Sequence, residues 1–443
     1  MGAAMIIHVV KQGETINSIA GSYGKSVERL MLENGITKTE SLVIGETLVI
    51  LYPEIEYIVQ DGDTLESIAR NHNTSIMELL RNNSYLSDRQ YIYPGEVIVI
   101  SYQGERIRRI STNGFVYPFI NINVLKKTLP FLTYLTVYTY YYTNQGEIFD
   151  INDAEILETA NIYGVAPIMM ISGYSSNQEE EIETTHDILG DEDLQNTLIN
   201  NLITILKSKG YYGINFKTPY IRPEDRTLYV EFVEKLSHRL NLGGFEIFIT
   251  LTLSVFETLS NIRYNQLQYN NLGKFADKIL LMSYEFGFTF GISPAVIAFD
   301  TIYNFFSFIT DLVPPDKLVT GLTTIGYLFT LPNEDRLSRG QSLSYNSVIT
   351  LAREVGAEIL YDEVTKASYF QYISQQEFFV RFRDARGVDA ILSLVPAHDL
   401  NGIGIWNCMF FYNQMWLLII SQYEIEKIVS LGSLSCNECQ KTT

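Results

Sequence analysis

The sequence predicts an α/β protein: a (β/α)8 barrel with a small α+β insertion, preceded by two compact βααβ modules. Three observations lead there. A segment near the start recurs with a period of about 50 residues. Behind it, strand-like apolar runs alternate with helical stretches eight times, the pattern of a parallel α/β fold. The chain has 443 residues, 46% hydrophobic and 13% aromatic, enough to bury a large core in two or more domains.

The repeat is explicit. His8-Val9-Val10-Lys11-Gln12-Gly13-Glu14-Thr15-Ile16 returns as Tyr57-Ile58-Val59-Gln60-Asp61-Gly62-Asp63-Thr64-Leu65. Ile19-Ala20 returns as Ile68-Ala69, Leu30 and Asn34 as Leu79 and Asn83, and Gly45 to Ile50 as Gly95 to Ile100. The order reads strand, helix, helix, strand, with Thr15 and Thr64 placed to cap the first helix of each unit. The modules span 1–52 and 53–102. Gly24-Lys25-Ser26 is no phosphate loop, because the earlier glycine that motif requires is Ile19.

Over residues 6–101 these units resemble LysM modules, which bind N-acetylglucosamine-containing glycans. The resemblance implies a sugar groove at Gly13, Glu14, Thr15, Ile16, Asn34, Gly35 and Ile36 in the first module. In the second it implies Gly62, Asp63, Thr64, Leu65, Asn82, Asn83 and Ser84. The competing reading is that the glycines and threonines only make turns and caps. Two linked weak sites would gain avidity on a polymer.

Eight strand candidates follow: Gly114 to Asn121, Leu132 to Tyr142, Gly164 to Ile171, Tyr211 to Phe216, Phe245 to Thr252, Lys278 to Tyr284, Lys317 to Thr323 and Asn401 to Trp406. They place the barrel at 108–430, with an insertion at about 342–386 and a polar tail at 431–443. In such a barrel the chemistry sits at the C-terminal ends of the strands.

The fourth strand carries Tyr212-Gly213-Ile214-Asn215-Phe216-Lys217-Thr218-Pro219. It resembles the catalytic strand of glycoside hydrolase family 18, D-G-x-[DN]-x-D-x-E. Gly114 to Phe119, Pro223 to Arg226, Met282-Ser283-Tyr284-Glu285, Gly321 to Pro332 and Gly404-Ile405-Trp406 extend the likeness, within that family, to LysM-bearing spore-cortex-lytic N-acetylglucosaminidases. The resemblance implies that the last Glu protonates the glycosidic oxygen and that the second Asp orients the substrate N-acetyl group. Here those positions are Pro219 and Lys217, and the first Asp is Tyr212. Proline has no proton to give, and an ammonium has the wrong sign to steady a developing cation.

The expectation is therefore a catalytically inactive relative that binds peptidoglycan. Asn215, Tyr284, Glu285 and Trp406 would be remnants of the cleft, Lys217 would pair with Glu285, and the Tyr212 phenol would refill the cavity. A self-assembling structural spore protein and an active cortex-lytic N-acetylglucosaminidase are the alternatives. Glu224 and Asp225 are expected to cap the next helix.

A net charge of -19 disfavours nucleic acid and anionic membrane partners, and no apolar run reaches the length of a membrane span. No metal or cofactor is implied. Cys408 lies in an apolar stretch; Cys436 and Cys439 form one C-x-x-C pair, too few for a zinc site but compatible with crosslinked self-association. The start shows no signal-peptide pattern, which fits synthesis in a mother-cell cytoplasm and residence at the spore coat or cortex.

Overall fold

The computed structural model describes residues 5–37, 42–87, 89, 91–175, 178–219, 221–251, 256–258, 261–263, 268–282, 298–331 and 340–429. Cys436, Cys439, Tyr284 and Glu285 lie outside them. The first module runs β1 (Met5–Val9), α1 (Ile16–Ser22), α2 (Val27–Asn34) and β2 (Thr47–Leu51). The second runs β3 (Pro53–Ile58), α3 (Leu65–Asn71), α4 (Ile76–Asn82) and β4 (Val97–Tyr102). Each pairs its two strands antiparallel. Thr15 and Thr64 cap α1 and α3 in capping boxes closed by Ser18 and Ser67. The apolar faces of the helices close on the last strand: Ile16, Ile19 and Leu30 against Leu48 and Ile50, and Ile68, Met77 and Leu79 against Ile98 and Ile100.

The barrel strands, taken first to eighth, are Arg108–Val116, Tyr134–Tyr142, Ala166–Gly173, Gly213–Lys217, Glu246–Leu251, Lys278–Leu281, Leu318–Thr323 and Gly402–Trp406. Each pairs parallel with the next, and the eighth pairs with the first, so the sheet closes without an edge. Side chains alternate across it. Phe115, Ile168, Met170, Phe248, Leu280 and Val319 fill the inside, while Ile214 and Phe216 face out into the core beneath the helices. The first strand begins earlier than its apolar run suggests, because Arg108 to Ile110 also pair with a terminal strand, Tyr423–Ile425.

After the seventh strand comes a five-stranded antiparallel sheet built from Ile325–Leu331, Gln341–Ser344, Leu360–Asp362, Ala367–Ile373 and Glu377–Phe382, with a helix at Tyr345–Val355. Cys408 is buried, and that burial pushes its thiol up to about 12. Pro223–Asp225 form a 3-10 turn, but Asp225 does not cap the following helix as expected. Its Oδ2 instead accepts from the His186 ring at 2.9 Å.

The first module is docked on the barrel. All five residues of β2 are buried, and Val49 and Leu51 belong to the barrel's own core. Gln414 Nε2 donates to the Thr47 carbonyl at 2.6 Å, Thr47 Oγ1 donates to Gln414 Oε1 at 3.1 Å, and the Ile359 N–H donates to the Ile44 carbonyl at 2.9 Å. The second module touches the barrel through Arg81, whose Nε donates to the Pro130 carbonyl at 2.7 Å. Arg29, Glu33 and Tyr102 tie the two modules together, with Arg29 Nε 2.7 Å from Glu33 and Tyr102 Oη 3.1 Å from both side chains.

Candidate functional site

The fourth strand is shaped by its neighbours. Gly213 is a glycine of necessity: a Cβ there would lie 2.3 Å from the Glu246 carbonyl oxygen on the fifth strand. With Ile214 and Phe216 outward, Asn215 and Lys217 point inward. Asn215 is fully buried and its Oδ1 accepts from Thr250 Oγ1 at 2.8 Å, while its Nδ2 has no partner. Asn113 on the first strand repeats the arrangement: its Oδ1 accepts from Thr136 Oγ1 at 2.8 Å and its Nδ2 is unpaired. Lys217 is half-buried at the C-terminal end, Pro219 is buried just beyond, and among the described residues the Lys217 ammonium has no ion-pair partner.

Tyr212 does not refill the mouth. It sits at the other end of the strand, five residues and roughly 16 Å from Lys217 at about 3.3 Å per residue. There its Oη donates to Glu246 Oε1 at 3.1 Å and its ring lies 6.2 Å from that of Tyr134, closing the barrel floor. Burial pushes the Tyr212 phenol up to about 12 and raises the Glu246 carboxyl above its ordinary range.

Across the mouth, half-buried Trp406 is part of an aromatic wall. Its ring lies 5.0 Å from Tyr138 and 6.0 Å from Tyr117, and Tyr117 stacks at 5.3 Å on Phe119, which is 78% exposed. Such faces suit the apolar side of a pyranose. Sequence reasoning named Trp406 but not Tyr117 or Tyr138. Strict alternation would turn Tyr134, Tyr138 and Tyr140 to one face. An irregularity after Val137 instead leaves Tyr138 inside and sends Tyr140 to the outer core.

In the modules, the loops before α1 and α3 are open to solvent, with Gly13, Thr15, Gly62 and Thr64 exposed. Glu14 braces its loop: Oε2 accepts from the Lys11 N–H at 2.8 Å and lies 2.9 Å from His8 Nε2. Asp63 does the same for the Gln60 N–H at 2.7 Å and Tyr57 Oη at 2.8 Å. Ile16 and Ile36 share the first module's core, and Leu65 packs against the second's. Asn34 spends its whole amide on the fold, donating to the Leu30 and Val49 carbonyls and accepting from the Val49 N–H. Asn83 does likewise for Leu79 and Val99, and Asn82 donates to the Ile100 carbonyl. Gly35 abuts Asn413 of the barrel, and Ser84 opens a 3-10 turn.

Residues 108–409 match Glycosyl hydrolases family 18, and residues 8–51 and 57–101 match the LysM domain. The cortical fragment-lytic enzyme of Bacillus subtilis is 30% identical over 434 residues, covering 96% of this chain and 99% of the relative. That of Bacillus anthracis is 27% identical over 435 residues, covering 95% and 99%. Among solved structures, the spore cortex-lytic enzyme SleL of Bacillus megaterium superposes with a TM-score of 0.77 at 25% identity, over 97% of this chain and 100% of that one.

These relatives overturn the expectation of an inactive protein. That expectation weighed three positions of one strand, whereas the likeness to proteins named as lytic enzymes runs end to end. One strand is too little to judge by, because eight strand ends converge on one mouth. By its barrel, its two N-terminal modules and the extent of the match, the chain belongs to the glycosyl hydrolases of family 18.

Proposed function

We propose that this chain is a peptidoglycan-directed glycosidase that cleaves N-acetylglucosamine-containing glycan of the spore cortex, with the LysM modules holding the strand. The observation that carries the reading is that a chain with two LysM domains and a family 18 barrel aligns along 96% of its length with a protein named as a cortical fragment-lytic enzyme. The open loops at Gly13 to Ile16 and Gly62 to Leu65 offer the glycan contacts, and the wall of Trp406, Tyr138 and Tyr117 offers a stacking face beside the strand ends.

Cleavage needs a proton on the leaving oxygen. Residue 219 cannot supply it, and Glu285, which the sequence places just past the sixth strand, is the carboxyl proposed instead. A general acid must hold its proton to give it, so activity falls as pH rises through the donor's own pKa.

The test is mass spectrometry of soluble cortex glycan fragments after incubation with the whole chain. The expected result is new reducing ends, formed fastest on the acidic side, with Glu285→Gln slowing release roughly 100-fold or more. No new reducing ends at any pH between about 4 and 8 would sink the hydrolase reading. Full activity of Glu285→Gln would move the donor elsewhere.

A further inference from the structure

Gln414 joins three parts of the molecule. It stands on the helix Asn413–Gln422 that follows the eighth strand, and it is buried. Its Oε1 accepts from Thr47 Oγ1 of the first module at 3.1 Å and from Tyr345 Oη of the insertion at 3.2 Å, while its Nε2 donates to the Thr47 carbonyl at 2.6 Å. A buried amide is costly unless its bonds are made. Here each of these bonds leaves the barrel helix for another part of the chain. Around this knot the insertion also bonds the module directly. The Ala385 N–H donates to Thr47 Oγ1 at 3.3 Å, Arg386 donates to the Gly45 carbonyl at 3.4 Å, and the Ile359 N–H holds the Ile44 carbonyl. At the position that matches Thr47, the second module carries Val97, which has no hydroxyl and is exposed.

The insertion in turn is rooted at the mouth. Its sheet begins with Ile325–Leu331, just past the seventh barrel strand. Between them, Thr324 donates its N–H to the Trp406 carbonyl at 2.9 Å and its hydroxyl to the Asn407 carbonyl at 2.7 Å. Tyr345 stacks at 4.1 Å on Tyr412, which fixes the ring that reaches Gln414. Bonded segments therefore lead without a break from the first module, through the insertion, to the strand end that carries Trp406.

We propose that Gln414 is a positioning residue and the first module a brace. Held through Thr47, Gln414 and Tyr345, the module fixes the insertion against the eighth-strand side of the mouth and so sets the shape of the cleft. This role rests on the glycosidase reading above, and it adds to the module's hold on the glycan a part in cleavage itself.

The test is a double-mutant cycle on turnover of soluble cortex glycan fragments by the full chain. Thr47→Val removes the module's hydroxyl and Tyr345→Phe the insertion's. Each change alone is expected to lower kcat/KM about tenfold, chiefly through kcat, and the two together no more than about tenfold, because both break one knot. Thr47→Ser, which keeps the hydroxyl, should retain the parent's rate. Pelleting with insoluble cortex should be the same for every variant, which separates positioning from anchorage. Single variants as fast as the parent, losses that multiply to about a hundredfold in the double, a Thr47→Ser chain as slow as Thr47→Val, or pelleting lost in step with rate would each overturn the brace and leave the glycosidase reading standing. A parent that cleaves nothing removes both. Native-state hydrogen exchange of the unaltered chain is independent of how any variant folds. The Val49 amide and those of the helix Tyr345–Val355 should open in one step, with one dependence on denaturant. A module that opens while that helix stays closed would also overturn the brace.

Discussion

The two LysM modules share a sequence pattern and a fold but not a setting. In the first, β2 is buried along its whole length and its flanking turn is wedged into the barrel. In the second, the equivalent β4 opens with Val97 at 45% exposure, and Ile58 on the paired strand is 56% exposed. Even their conserved-in-place contact is inverted: His8 packs edge-on to Tyr23 in the first, and Tyr57 packs edge-on to His72 in the second. The repeat thus dictates how each module folds, and the surface it meets decides what it is for. The first module is packed into the barrel on its β2 side, while its first loop and the outer face of α1 stay exposed. The second meets the barrel through Arg81 and leaves its first loop and one end of its sheet exposed.

The strongest break of this comparison is at matched glycines. Gly45 has φ +85° and a Cβ there would lie 1.9 Å from the Ile359 carbonyl oxygen, while Gly95 has φ +89° and nothing within 4 Å. Gly95→Ala should cost only the left-handed strain of about 1–2 kcal/mol. Gly45→Ala adds displacement of the docked turn, for a loss of about 3 kcal/mol or more. Denaturant unfolding of both variants checks this, and equal losses would mean that the docking contributes nothing.

A smaller effect is expected at the matched strand residues. Thr47→Val removes the hydroxyl that bonds Gln414 and accepts from the Ala385 N–H, leaving buried polar groups short of partners. The expected cost is about 1–3 kcal/mol. Val97→Thr, at an exposed position, should stay within about 0.5 kcal/mol.

The smallest concerns pH. The Lys11 backbone N–H, with His8 beside it, holds the Glu14 carboxyl below its ordinary value. A depressed carboxyl adds stability that is present above its unfolded pKa and lost as pH falls through the folded one. Hydrogen exchange at the Lys11 amide should therefore accelerate, beyond the intrinsic pH trend, once the solution is taken below the ordinary carboxylate range. Protection unchanged through that range would show the brace to be inert.

Much of this was legible in the residues. The module strands and helices follow from a repeat whose threonines, glycines and apolar positions recur in register, and eight apolar runs were enough for the barrel. What the chain did not disclose depends on contacts between distant segments. Thr47 reads as an ordinary strand residue until Gln414, 367 positions away, meets it. Tyr138 joins the mouth only because the second strand slips its alternation after Val137. Asn34 and Asn83 look like groove residues in sequence but are occupied with Val49 and Val99. Reading one strand for chemistry misled in the same way: Tyr212 shares the motif with Lys217 yet lies on the barrel floor.

The account stands or falls on cleavage. The most direct measurement is the muropeptide profile of intact cortex peptidoglycan incubated with the full chain, read by mass spectrometry over time. The account predicts shortened glycans ending in N-acetylglucosamine that accumulate with enzyme and time. A profile that remains that of the untreated cortex, although the protein has bound it, would contradict it.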